Sequence, residues 1–249
     1  YYRTDTVMLE RMLPDGALQA GIYAQGFRFF EAFNMLGYLF AGLLLPMFSR
    51  MIKQREYVAP LTGLAYRLVL AGALAVAVAG SFHSRAIMDL RYDENTAQSA
   101  PAFAVLIWCF TAVCTTYIFG TLLTAAGDLK ALNWMAACGM LLNIGLNLFL
   151  IPRYQALGAA WASLITQGLT ALVQMTIAAR KFRFAIPWKG VFSAIAYAAG
   201  LLALAWWSAG WPVGKALLVL AFGAMALAFA TRLIDLRGLR QAIALPKGR

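Results

Sequence analysis

Apolar residues run along this chain in blocks of about twenty, separated by short clusters of Pro, Gly and charged side chains. A helix needs about 20 mostly apolar residues to cross a bilayer. By that rule the chain holds one partial span ending near Leu13 and seven full ones, over Ala17–Phe48, Ala59–Gly80, Ala100–Ala126, Ala131–Ile151, Gly158–Ala179, Gly190–Ser208 and Lys215–Leu233. The pattern predicts an all-α polytopic membrane bundle. At about 1.5 Å per residue the second run reaches about 48 Å, so it should tilt, bend near Gly37 or Gly42, or project from the bilayer. The loops are short except HSRAIMDLRYDENTAQS, which should carry a short interfacial helix.

Composition agrees: 62% of residues are hydrophobic and 12% charged, against about half and a quarter in soluble domains. The net charge of +11 does not argue for nucleic acid, because the basic residues fall in clusters between apolar runs. One set of alternate loops and tail holds Arg50, Lys53, Arg55, Lys130, Arg180, Lys181, Arg183, Lys189, Arg232, Arg237, Arg240, Lys247 and Arg249, thirteen in all; the other holds Arg11, Arg85, Arg91, Arg153 and Lys215, five. The richer side should be cytoplasmic, with the C-terminus on it. The opening YYRTDTVMLE reads as a helix entered part-way, so the sequence is expected to be a fragment. Cys109, Cys114 and Cys138 sit in apolar stretches without zinc or disulfide spacing and should be buried small hydrophobes.

Five charges interrupt this pattern: Arg3, Asp5, Arg28, Glu31 and Arg67. Each costs about 2.5–3.5 kcal/mol at the bilayer centre on insertion scales and must face protein or water. Arg28 and Glu31, three apart, share a helix face and should pair. Arg3 and Asp5 cannot pair on one face, so each needs a partner elsewhere. Three Arg against two acids suits a cavity for an anion, and guanidinium grips phosphate oxygens in two-point fashion. Asn143 and Asn147, four apart, make a second polar face read mainly as helix packing, as are Gly158, Ala159, Ala162 and Ser163. Pro152 should end that helix, with Tyr154 at the interface.

Enzyme signatures are missing. His83 stands alone beside Ser84 and Arg85 and reads as a solvated or capping residue, and no GxSxG, P-loop or HExxH occurs. The chain is therefore read as a non-enzyme that needs no cofactor and binds no nucleic acid.

The segments YRTDTVML, GIYAQGFRFFE, LPMFSR, TAAGDLKALN and LLNIGLNLFLIPRYQALGAAWASLITQ resemble the second half of polysaccharide biosynthesis flippases, the lipid-linked repeat-unit exporters related to the lipid II flippase and to multidrug and toxin extrusion transporters. The resemblance covers roughly residues 1–180 and is most specific over Leu141–Gln167, then at Arg3-x-Asp5 with Gly21-x-Tyr23. It implies a two-lobed flippase fold of which residues 1–182 form the second-lobe bundle, and 183–249 an accessory two-helix hairpin with a basic tail. It also implies alternating access in the bacterial inner membrane, carrying undecaprenyl-diphosphate-linked oligosaccharides outward. Arg3, Arg28 and Arg67 would hold the diphosphate or acidic sugars, and Asp5 or Glu31 would couple an ion. Its partners would be membrane lipids, the lipid-linked substrate, the absent N-terminal lobe, and a polysaccharide polymerase and glycosyltransferases. Alternatives are a cation-coupled drug exporter of the same superfamily, which would want a negative cavity, and a membrane glycosyltransferase or polymerase, which would want a larger extracytoplasmic loop. A membrane scaffold is a third, for which nothing specific speaks.

Overall fold

In lipid every backbone N–H and C=O must be satisfied within the chain, and the long Ala/Leu/Val runs answer this by forming helices. The computed structural model describes residues 2–184 and 188–234, with side chains from Thr4 onward. Eight helices follow in order: α1 (Tyr2–Met12), α2 (Gly16–Lys53), α3 (Ala59–Phe82), α4 (Ser84–Arg91), α5 (Thr96–Ala125), α6 (Leu129–Lys181), α7 (Trp188–Trp207) and α8 (Val213–Ala230). Six of them are long and apolar enough to cross a membrane. The protein is thus a multi-pass membrane helix bundle, as the sequence predicts.

α5 is the axis of the bundle. It packs against α2, α3, α4 and α6, and buries Phe103, Leu106, Ile107, Ile118 and Leu122 almost completely. α2 is one continuous helix through Gly37 and Gly42; its 38 residues make about 57 Å of helix, so it tilts or projects. α7 and α8 lean on α3, where the Tyr197 hydroxyl donates to the Ala71 carbonyl at 3.0 Å.

α6 resolves a point the sequence divides differently. Two spans are expected around Pro152, and the chain forms one 53-residue helical element broken at Gln155 (φ 52°, ψ −132°). Straight, it would run about 80 Å. It reverses instead: a Cβ at Gly158 would collide with the Leu150 carbonyl, which lies about 12 Å away along an unbroken helix. Pro152 is accommodated inside the first limb, and the break falls three residues later. The limbs, 129–154 and 156–181, therefore cross the bundle as two passes. The α1–α2 turn is similarly tight, since a Cβ at Gly16 would meet the Glu10 carbonyl.

Two contacts fix which turns share a membrane face. The Ala156 N–H donates to Gln19 Oε1 at 3.4 Å, and Gln19 Nε2 donates to Asp15 Oδ2 at 2.9 Å, so the α1–α2 turn and the α6 break lie together. At the opposite face Lys181 Nζ pairs with Asp128 at 2.6 Å. Aromatic belts mark the bilayer between these faces. Exposed Trp134 and Tyr154 on α6 are twenty residues apart, about 30 Å. Exposed Trp188 and Trp206 on α7 are eighteen apart, about 27 Å, and both spacings match a hydrocarbon core.

α4 is the expected short helix, with Arg85 Nε donating to Asp89 at 3.0 Å and Leu90 exposed. Two expectations need correction. His83 is neither solvated nor a side-chain cap: it is 5% exposed between α3 and α4, makes no cap hydrogen bond, and burial lowers its imidazole below the usual value. Cys138 is exposed, while Cys109 and Cys114 are buried; position 138 is on a face of the first α6 limb that nothing among the described residues covers. The basic tail beyond residue 234 lies outside the described residues.

Candidate functional site

Asp5 is 1% exposed and sits inside a cage built from three helices. Tyr23 of α2 donates its hydroxyl to Asp5 Oδ2 at 2.9 Å. Ser163, on the second limb of α6, donates to the same oxygen at 2.5 Å. Asn147, on the first limb, donates Nδ2 to Asp5 Oδ1 at 2.6 Å, and the same nitrogen lies 3.2 Å from Asn143 Oδ1. A carboxylate accepts only, so three converging donors suit its ionised form.

Helical register explains the convergence. Asp5 lies seven residues before the end of α1, Tyr23 seven after the start of α2, and Asn147 and Ser163 eight on either side of Gln155. Each is therefore about 10–12 Å below the same turn-bearing face. The α1–α2 turn and the α6 break, clamped by Gln19, set four side chains at one depth. Leu9, Ile22, Phe30, Leu106 and Ile151 belong to the apolar cluster that surrounds Tyr23 of the cage.

The five expected charges do not gather in one place. Asp5 is caged. Arg28 and Glu31 are both exposed, and the ion pairs among the described residues, Arg85–Asp89 and Lys181–Asp128, do not include them. The expected Arg28–Glu31 pair is therefore corrected: side chains sharing a face three residues apart point outward separately. Arg67 is half-buried on α3, with Nη2 beside Gly63. Arg3 has its place in α1, and its side chain lies outside the described residues.

Arg28 lines a cleft of about 340 Å³ with Gly21, Gln25, Tyr92 and Asn95. Gln25 Nε2 donates to the Glu94 carbonyl at 3.2 Å, and the Tyr92 hydroxyl approaches the Gln25 carbonyl at 3.5 Å. The 92–95 loop thus sits beside α2 about 3 Å deeper than Tyr23, with Asp93, Glu94 and Asn95 exposed. Non-helical backbone at that depth is tolerated where it lines protein or water, and here Gln25 and Tyr92 hold the loop against α2.

Asn143 and Asn147, read mainly as packing, are part of the cage, 2% and 0% exposed. Spacing alone marks Ser163 as a small packing residue and gives Tyr23 no ligand role, yet both bond Asp5. Equal distance from a turn is the signal that would have found both, once Gln155 rather than Pro152 is taken as the reversal. No group of three or more His, Cys, Asp or Glu able to hold a metal occurs among the described residues; the cage's oxygens suit a proton or a hard cation. No family model matches the chain, and no characterised protein matches it in sequence.

Proposed function

We propose that the chain is the second lobe of an alternating-access transporter that moves undecaprenyl-diphosphate-linked oligosaccharide units across the bacterial inner membrane, with Asp5 as its ion-coupling carboxylate. The carrying observation is Arg28, exposed and without an ion-pair partner among the described residues, five residues deeper along α2 than the cage. That places it about 18 Å below the turn-bearing face. A guanidinium there needs water or an anion, and the 340 Å³ cleft beside it offers room for a phosphate-bearing headgroup. Arg67 and Arg3 would extend the positive lining once the first lobe closes over α2.

Asp5 is preferred over Glu31 for coupling. Glu31 is exposed and has no ion-pair partner among the described residues. Asp5 is isolated, and its hydroxyl and amide neighbours can re-aim when it gains a proton or a cation. Reversal of α6 lets such a change move both limbs relative to α1 and α2. The Lys/Arg count assigns the Asp128 face and the C-terminus to the cytoplasm, and a polymerase and glycosyltransferases would supply and consume the substrate.

The test is reconstitution of the full protein in vesicles holding a fluorescent undecaprenyl-diphosphate glycan, with outer-leaflet exposure read by an impermeant quencher. Arg28→Gln should abolish translocation at unchanged thermal stability. Equal loss of folded protein would instead make Arg28 structural. Movement of cationic dyes in place of the glycan would favour the drug-exporter alternative.

A further inference from the structure

Ser163 begins a stripe the cage does not use up. On the second limb of α6, Ser163, Thr166, Gln167, Thr170, Gln174 and Lys181 are spaced by three, one, three, four and seven residues, which keeps them on one helix face. Thr166, Gln167 and Gln174 are 2%, 7% and 6% exposed. The stripe faces α5 part-way along: Gln174 Oε1 lies 2.9 Å from where a Cβ on Gly120 would stand. Thr116, one turn before Gly120, turns toward the same seam. At one end is Asp5. At the other, eighteen residues and about 27 Å away, is the Lys181–Asp128 pair at the opposite face.

The hydrogen-bond pattern separates this seam from ordinary helix glue. Thr170 satisfies its own hydroxyl by donating to the Thr166 carbonyl at 2.8 Å. Asn147 Oδ1, Thr166 Oγ1, Thr116 Oγ1 and Gln174 Oε1 are all buried without a protein partner. They make up half of the eight such side-chain atoms among the described residues, and all belong to the cage or the α5–α6 interface. Buried polar atoms are paired in the great majority of cases, and water serves where protein does not. In a bilayer an orphaned polar atom costs several kcal/mol, so a run of them along one seam demands water.

We propose that the α5–α6 seam is a water-filled proton path joining Asp5 to the Asp128–Lys181 face, separate from the Arg28 cleft. Its use in coupling rests on the transporter reading, whereas its hydration does not. The seam reaches Asp5 from the Asp128–Lys181 side, whereas the Arg28 cleft, lined by Gly21, Gln25 and Arg28, does not include Asp5 or Tyr23. The titratable groups facing Asp5 are Tyr23 of α2 and Cys109 of α5; α6 contributes Asn147 and Ser163, which do not titrate. Along the seam, hydroxyls of Ser163, Thr166 and Thr116 can relay a proton, and Gln174 anchors water.

The test uses the full protein in vesicles with Cys109, Cys114 and Cys138 replaced by Ala, carrying Thr166→Cys, Gln174→Cys or, as a lipid-facing control, Leu172→Cys. A small cationic methanethiosulfonate reacts with thiolate, which water must stabilise, so both seam positions should label about tenfold faster than the control. Labelling at or below the Leu172→Cys rate would overturn the path. Radiolytic hydroxyl footprinting of the unaltered protein provides a check that needs no variant. Buried Cys109 should be oxidised by water bound beside it; a Cys109 left intact while exposed Cys138 reacts would count equally against the proposal. Labelling of the seam in a protein that transports nothing would uphold its hydration and remove the transporter reading.

Discussion

Asp5→Ala and Asp5→Asn should differ in stability far more than their sizes suggest. Both remove the buried charge, so the desolvation term is common to them. Alanine removes the bonds that Asp5 accepts from the Tyr23 hydroxyl, the Ser163 hydroxyl and Asn147 Nδ2, of which the last keeps a second acceptor at once, Asn143 Oδ1 at 3.2 Å. An orphaned buried donor costs about 1–3 kcal/mol in soluble proteins. Interhelical bonds in membranes average about 0.6 and reach about 1.7, because the unfolded chain in lipid also finds partners. Three donors then give about 2–5 kcal/mol for Asp5→Ala. Asparagine keeps one carbonyl oxygen for Asn147, and its amide can donate to hydroxyls that accept as readily as they donate. Its loss should be about 1 kcal/mol, and the difference about 1–4 kcal/mol. Thermal unfolding in detergent should show this as about 2–16 °C between the two variants. If Asp5→Ala and Asp5→Asn melt within about 1 °C of each other, the three donors do not depend on the carboxyl group and the cage has no energetic meaning. If Asp5→Asn folds well but still translocates with the wild type's dependence on the ion gradient, Asp5 does not couple.

Gln155→Gly should raise the melting temperature by about 2–4 °C, since a left-handed φ with ψ −132° suits glycine and strains glutamine by about 1 kcal/mol; a lower melting temperature would contradict the assigned break. Gly158→Leu should prevent folding, because its Cβ meets the Leu150 carbonyl of the opposing limb, and normal yield of a monodisperse protein would disprove the reversal. His83 is buried and held below the usual imidazole value near 6.5, so the unfolded chain binds more protons as pH falls through that value. Stability should decline below about pH 6.5 and His83→Gln should flatten that part of the profile; identical profiles would exclude His83.

The block length of apolar residues was enough to define a multi-pass helical bundle, because lipid leaves an apolar twenty-residue segment few alternatives to a helix. The same reasoning located the α4 helix and most helix ends within a few residues. It also marked Asp5 as needing a partner, since a carboxylate at membrane depth cannot stand alone. It could not say which partner. Arg28 and Glu31 looked self-satisfied by spacing and are separate and exposed, while Asn143, Asn147 and Ser163 looked like packing and belong to the cage. Local spacing describes one helix, and the cage is made of three.

What the sequence determined by itself was how many apolar segments there are and where charge is expensive, both properties of a residue and its solvent. The tertiary structure decided where those charges meet. Reversal at Gln155 rather than Pro152, and the Gln19 clamp that sets α1, α2 and α6 at one level, bring residues 5, 23, 147 and 163 together at a single depth. That depends on backbone geometry at two turns and on relative helix rotation, which are set by packing across the whole bundle.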